Sequence, residues 1–579
     1  MCRNCDLASS IGGGAMPGTE PAIPVATACA DETGVTVFRG GAVYTCDPQR
    51  PWAQSVAVRG REIIAVGTDS EVHELIDAHT HVIELAGRMM VPGFIEGHVH
   101  PILGGFLASG VDLQVPTRAE ALAAIADYAR IHPDGPLRGF GWRVDMFGPD
   151  GPSRKLLDEI IPDRAALMFA IDGHSLWANS RALEIAGVTA DSVDPVPGFS
   201  FYTRDESGEP TGFVLEMPAL LPIVNAVEPM TKGLLAQLFR EWAPKAASAG
   251  ITSMFDAGIP PLGDEPGGLA AVYTESEAAG LLPFRVVASH LIKAPPIDQA
   301  VAETLALSAY LDTELVSGGV LKILGDGTVE GHTACLLEPY TDLPESNGQA
   351  PFSDEQWRQL VTAADAAGID VHIHALGDRT VRSALDAIEA AIRTNPPRDR
   401  RHTIAHLQFV DDTDQPRFAE LGVIAQFSAN WLSADPGTVD TTIERCGLDR
   451  QRKMFRPKSI LETGGTITFG TDWPAAGWFS TYKPLDAIEV SITRQLVGSP
   501  DAPILEPLDE RLNLDEALHA NTINAARQLR LDHLVGSIEP GKLADLVVLA
   551  ENLFDVEPHR IAATRIDMTM MNGRFTHSA

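Results

Sequence analysis

Val91-Pro92-Gly93-Phe94-Ile95-Glu96-Gly97-His98-Val99-His100 reads as an apolar strand that stops at two histidines one residue apart. In an extended chain, residues two apart point to the same side, so both imidazoles can converge on one metal ion. Two ligands do not make a metal site, and the weight of the pair depends on whether the rest of the chain supplies more. Downstream, short β-rich runs alternate with Ala- and Leu-rich helical stretches, the pattern of βα units around a parallel sheet. Candidate strands lie at 94–97, 251–256, 284–289, 320–324, 370–374, 403–406, 423–427 and 466–470, eight in all, the number of an α/β (β/α)8 TIM barrel. Residues 379–392 carry Ala, Leu and Ile at helical spacing, as the helix after the fifth strand should. The stretch 101–250 is too long for a single crossover and calls for an inserted subdomain at about 105–250.

Outside the barrel, short alternating strands fill 35–67, and a matching strand-like segment runs from 536 to 571. Neither offers much core alone, so 33–92 with 535–579 is expected to form one small composite β-sandwich flanking a barrel domain at 93–534. Residues 1–32, rich in Gly, Ala, Pro and Ser, read as a disordered leader, with Met16 as an alternative functional start. Its Cys2-x-x-Cys5 has no second pair or nearby histidine pair to make a metal or redox motif. Six cysteines in 579 residues do not make a disulfide scaffold, and a reducing, cytoplasmic setting is expected. No apolar run of ~18 residues marks a membrane span. Lys and Arg number 44 against 78 Asp and Glu, and the net charge of −34 should repel nucleic acid and anionic membrane. The assembly is open, with a homodimer allowed.

Barrel active sites sit at the C-terminal ends of the strands. There the sequence supplies His98 and His100 after strand one, Lys322 within Val320-Leu321-Lys322-Ile323-Leu324, His372-Ile373-His374, His402-Thr403-Ile404-Ala405-His406, and Gly470-Thr471-Asp472-Trp473-Pro474. A lysine inside such an apolar run is rarely tolerated unpaired. His98, His100, Lys322, His374, His406 and Asp472, in this order, resemble the amidohydrolase superfamily. Gly173-His174-Ser175-Leu176-Trp177-Ala178-Asn179-Ser180, Gly325-Asp326-Gly327-Thr328 and His374-Ala375-Leu376-Gly377-Asp378 resemble its amidohydrolase-3, YtcJ-like branch, which includes N-substituted formamide deformylases.

The resemblance implies two zinc ions and a Lys322 carboxylated by carbon dioxide, whose two oxygens can bridge metals ~3.5–4 Å apart. His98, His100 and Asp472 would hold one ion and His374 and His406 the other, with a hydroxide between them; iron, manganese or cobalt would also suit these ligands. Asp472 would take the water proton and pass it to the leaving nitrogen. His174 or His332 would hydrogen-bond the carbonyl oxygen, and Trp473, with Trp431 and Trp478, would touch substrate. His372 and His402 read as structural, facing away from the barrel centre or lying deeper in it. Asp326 and Asp378 either orient imidazoles or cap helices. The aromatics of the insertion, Trp142, Trp177, Phe199, Phe201 and Tyr202 beside a hairpin at 206–212, are expected to form its own small core.

The expected function is hydrolysis of a non-peptide C–N bond in a small amide or formamide. Two alternatives stand beside it: a mononuclear deaminase, which has no need of a bridging Lys322, and a non-catalytic ligand-sensing barrel, for which a complete ligand set would be unusual.

Overall fold

The structure, a computed structural model, describes residues 34–148, 150–259, 268–475 and 479–579. Cys2, Cys5 and the rest of the leader, together with Trp478, lie outside the described residues. At the centre, strands β1 (Phe94–Val99), β2 (Ile251–Ile259), β3 (Arg285–Ile292), β4 (Val316–Leu324), β5 (Asp370–Ala375), β6 (Thr403–His406), β7 (Ile424–Ser428) and β8 (Thr466–Gly470) lie side by side in chain order as one eight-stranded sheet. Every neighbouring pair is parallel. At the seam, Asp472 N–H donates to the His98 carbonyl at 2.8 Å and His100 N–H donates to the Trp473 carbonyl at 3.0 Å. The result is a nearly closed TIM barrel, its strands buried on both faces as helices outside and side chains inside require.

Register places the chemistry. Lys322 on β4 pairs with His372 on β5, Leu324 with His374, and Ala375 with His406 on β6, so these residues share one end of the barrel. The helix Asp378–Thr394 buries Val381, Ala384, Leu385, Ile388 and Ala391, one apolar stripe at i, i+3 and i+4 spacing.

The chain ends build two further sheets. Glu62–Gly67, Ser55–Arg59, Val35–Arg39 and His81–Glu84 form a four-stranded sheet. Six strands, in the order Arg574–Ser578, Ile566–Met571, Leu546–Leu549, Met89–Pro92, Ala42–Tyr44 and Trp52–Ala53, form the other. Phe38, Val43, Val56, Ile63, Met90, Ile538 and Val548 pack into one core drawn from both ends of the sequence. Met89–Pro92 pairs antiparallel with Leu546–Leu549 and runs straight into β1, anchoring the histidine-bearing strand to this module.

Between β1 and β2 lies a six-stranded mixed sheet running from Val111–Asp112 to Phe201–Arg204 and Pro210–Leu215. Trp142 and Trp177 meet at 6.3 Å and Phe147 packs on Trp177 at 5.0 Å, giving the insertion its own core. The last helix of this stretch, Lys232–Ser248, belongs to the barrel's packing, since Phe239 and Trp242 bury against Tyr273, Phe284 and Trp473. Among the described residues, no helix is long and apolar enough to cross a membrane.

Candidate metal centre and active site

The six residues singled out at strand ends meet at one place. His98, Lys322, His374, His406 and Asp472 are buried, and the His100 side chain is partly open to the mouth. The Nε2 atoms of His98 and His100 lie 3.3 and 3.2 Å from Asp472 Oδ1. Lys322 Nζ is 3.2 Å from His98 Nε2, and the His374 and His406 rings are 4.4 Å apart. Asp472 (φ 58°) and His406 (φ 76°) both adopt the left-handed region, strain of about 1–3 kcal/mol each that surrounding structure must hold in place. Part of that support is Gly470: a Cβ there would stand 2.4 Å from the His98 amide nitrogen, so only glycine lets β8 close on β1.

The donor set fits a divalent metal. His374 Nε2, His406 Nε2 and Asp472 Oδ1 are buried without a hydrogen-bond partner, a condition that costs about 1–3 kcal/mol per group in a dry interior. Ligand atoms of His98, His406 and Asp472 lie within 4.8 Å of one another. Burial pulls His98, His374 and His406 well below the ordinary imidazole range, and the Lys322 charge adds to it, so the rings are neutral, the form that binds metal. Burial also pushes Lys322 down to about 7 against the pull of Asp472 and Asp256. Burial thus works against the ammonium form of Lys322.

A second ring of residues fixes the first. His372 Nε2 lies 2.9 Å from His98 Nδ1 and its ring stacks on Phe255 at 4.5 Å, so this histidine sits deeper in the barrel and sets the orientation of a candidate ligand. His402 faces away from the centre; its Nδ1 accepts from Val371 N–H, and its Nε2 is 3.3 Å from Asp365. Asp326 accepts from the backbone N–H groups of Cys335, Leu376 and Gly377 and from the Thr380 hydroxyl, pinning the loop after His374 to the next helix. Asp378 accepts from Leu337 N–H and so ties that helix to the loop after β4. Glu96, which sequence reasoning passed over, accepts from Thr471 N–H at 2.6 Å and holds the turn that carries Asp472; burial pushes its carboxyl up to about 8.

At the mouth, the insertion contributes His174, whose Nδ1 lies 2.6 Å from Glu216 Oε2 and whose ring is 5.1 Å from His374. Glu216, also missed in the sequence, is fully buried at φ 66° and accepts from the Thr333 hydroxyl at 2.8 Å. A Cβ at Gly327 would meet its Oε1 at 1.9 Å, so this glycine is needed for close approach. Burial opposes a charge on His174, yet Glu216, Asp172 and Asp472 together outweigh it and push the ring up to about 9. His174 is thus held toward the imidazolium form, a strong donor beside His374.

Two residues offered as substrate contacts stand elsewhere. His332 turns to Asp342, 3.0 Å from Nε2, and packs on Tyr340, drawn off by the Asp342 and Arg445 pair. Trp473 is fully buried and stacks on Trp242 at 4.9 Å with an 8° tilt, because the seam turn directs it outward under the helix that bears Gly104. Trp431 does face the site, stacked on His406 at 5.1 Å. Two cavities open here. One is lined by His98, His100, Lys322, His406 and Asp472; the other by Trp142, Leu376, Trp431 and Phe455. Asp172, His174 and His374 border both.

The amidohydrolase family model matches residues 76–577 of this chain. The chain is similar to Protein LONG AFTER FAR-RED 3 of Arabidopsis thaliana, at 32% identity over 89% of this chain and 87% of that one. It is similar to the putative amidohydrolase YtcJ of Bacillus subtilis (strain 168), at 28% identity over 93% of this chain and 99% of that one. At 28% identity it also resembles the N-substituted formamide deformylase of Arthrobacter pascens, over 92% of this chain and 96% of that one. The chain belongs to the amidohydrolase family, and its barrel carries the donor set of a metal-dependent hydrolase.

Proposed function

We propose that this protein hydrolyses a non-peptide C–N bond in a small N-substituted amide or formamide. The observation that carries the reading is the convergence of His98 and His100 on Asp472 Oδ1, beside His374 Nε2 and His406 Nε2, which are buried without a hydrogen-bond partner. His98, His100 and Asp472 would hold one zinc ion, His374 and His406 a second, and a carboxylated Lys322 would join them. Such ions act as Lewis acids and lower the pKa of water from 15.7 to about 7.

The protein's own groups carry the protons. Asp472, buried and short of hydrogen bonds on Oδ1, accepts the proton of the attacking water as its oxygen bonds to the carbonyl carbon. The His174 imidazolium, held by Glu216, donates to the carbonyl oxygen as negative charge develops there. Asp472 then returns the proton to the nitrogen as the C–N bond breaks, and a carboxylic acid and an amine leave. The family membership and the formamide deformylase relative support an amide-type substrate.

A panel of amides, formamides, lactams, esters and carbamates, assayed with zinc-reconstituted and metal-stripped protein, tests the reading. Turnover of an amide or formamide by the reconstituted form alone is expected. Release of ammonia from an amidine or aminopurine-type ring, with no amide cleaved, would replace it with a deaminase.

A further inference from the structure

One cation at the site has no role in the proposed chemistry. Lys293 follows β3, and its half-buried side chain lines the same cavity as His98, His100, Lys322 and Asp472. Among the described residues it makes no hydrogen bond or ion pair, whereas Lys232, Lys453, Lys458 and Lys542 each pair with a carboxylate and Lys322 lies against His98. Much of the cavity wall around it is apolar, with Leu103, Leu107, Met217 and Leu291. An ammonium in such surroundings is unfavourable without a counter-charge, and burial alone pushes it down to about 8. No carboxylate among the described residues pairs with it, so a counter-charge would have to come from a ligand.

The opposite side of the mouth has the complementary character. In an eight-stranded ring, β3 and β7 stand four strands apart, and Trp431, just after β7, faces the second cavity with Phe455, Leu376 and Trp142. His174 and His374 lie between the two cavities and border both. A substrate spanning them would present one end to an unpaired ammonium and the other to aromatic rings, with its scissile bond at the centre.

We propose that Lys293 selects amides that bear a carboxylate, the N-acyl amino acid type, whose apolar group lies toward Trp431 and Phe455. The inference rests on the hydrolase reading and narrows its substrate class. A charge-assisted contact of this kind discriminates by about tenfold or more.

The test compares N-phenylacetylglycine with N-ethylphenylacetamide, which share the amide and the phenyl group on its acyl side and differ in the carboxylate on its amine side. With the zinc-reconstituted full chain, kcat/KM should favour the carboxylate by about tenfold or more, and the ratio should fall toward one in Lys293→Met while Lys293→Arg keeps part of it. A wild-type ratio near one, or a ratio unchanged in Lys293→Met, overturns the inference and leaves the hydrolase reading standing. Equal losses on the two substrates in Lys293→Met would also overturn it, since they mark a general role. Cleavage of neither compound, with other amides also untouched, removes the hydrolase reading and the inference with it. The wild-type ratio and the arginine variant keep the test decisive if Lys293→Met does not fold.

Discussion

The floor of the barrel and its mouth hold the site in different ways. On the floor, His98, Lys322, His374 and His406 are placed by strands whose register is fixed by their neighbours, as when Lys322 lies opposite His372 and Leu324 opposite His374. At the mouth, His174 comes from an inserted sheet and is aimed by Glu216, a residue 42 positions later in the chain, while Trp431 and Lys293 follow strands on opposite sides of the ring. In the proposed function the floor is the part that activates water. The mouth, to which the proposals assign substrate discrimination, rests on contacts between parts of the chain that could change separately.

Breaking the floor should have the largest effect. Removing metal should abolish turnover and lower the melting temperature; a ligand present at a thousandfold above its Kd stabilises by about 4 kcal/mol, and that contribution is lost on stripping. Differential scanning calorimetry with and without chelator measures it. Asp472→Asn should reduce kcat by about 10²–10⁴-fold, as expected for loss of a proton-transfer group, read in single-turnover assays at fixed metal content.

Damage at the mouth should be smaller and should carry a pH signature. His174→Gln is expected to lower kcat by about 10²–10³-fold with metal content unchanged. Because the folded pKa of His174 is raised to about 9 in the metal-free protein, its contribution to stability is fully present below the ordinary histidine range and is lost as pH rises through about 9. Thermal melts of the stripped protein between pH 6 and pH 10 should show that loss, and Glu216→Gln should erase it. Smallest is Trp431→Ala, expected to raise KM about threefold to tenfold for aryl-bearing substrates through loss of one aromatic contact.

The division also explains what the sequence made legible. The eight strands and the six floor residues could be read because ligation uses few residue types and a barrel presents them at strand ends in chain order. Lys322 stood out because charge is rare in an apolar run; Glu96, in a similar setting, carried the same signal and was passed over. Glu216 and Lys293 gave none, since one acid among 78 or one cation among 44 acquires meaning only when loops pack. The surroundings of His332 and Trp473 are likewise set by packing that the sequence does not show. Each sits beside a strand end, but Asp342 claims the first and Trp242 the second.

Calorimetric titration of zinc into stripped protein, with carbon dioxide present, tests the central claim most directly. Two equivalents should bind per chain to wild type, with hydrolysis returning in step, and Lys322→Ala should lose the binding until a small carboxylic acid is added. A folded wild-type chain that binds no zinc, or that turns over amide equally well without it, would contradict the account.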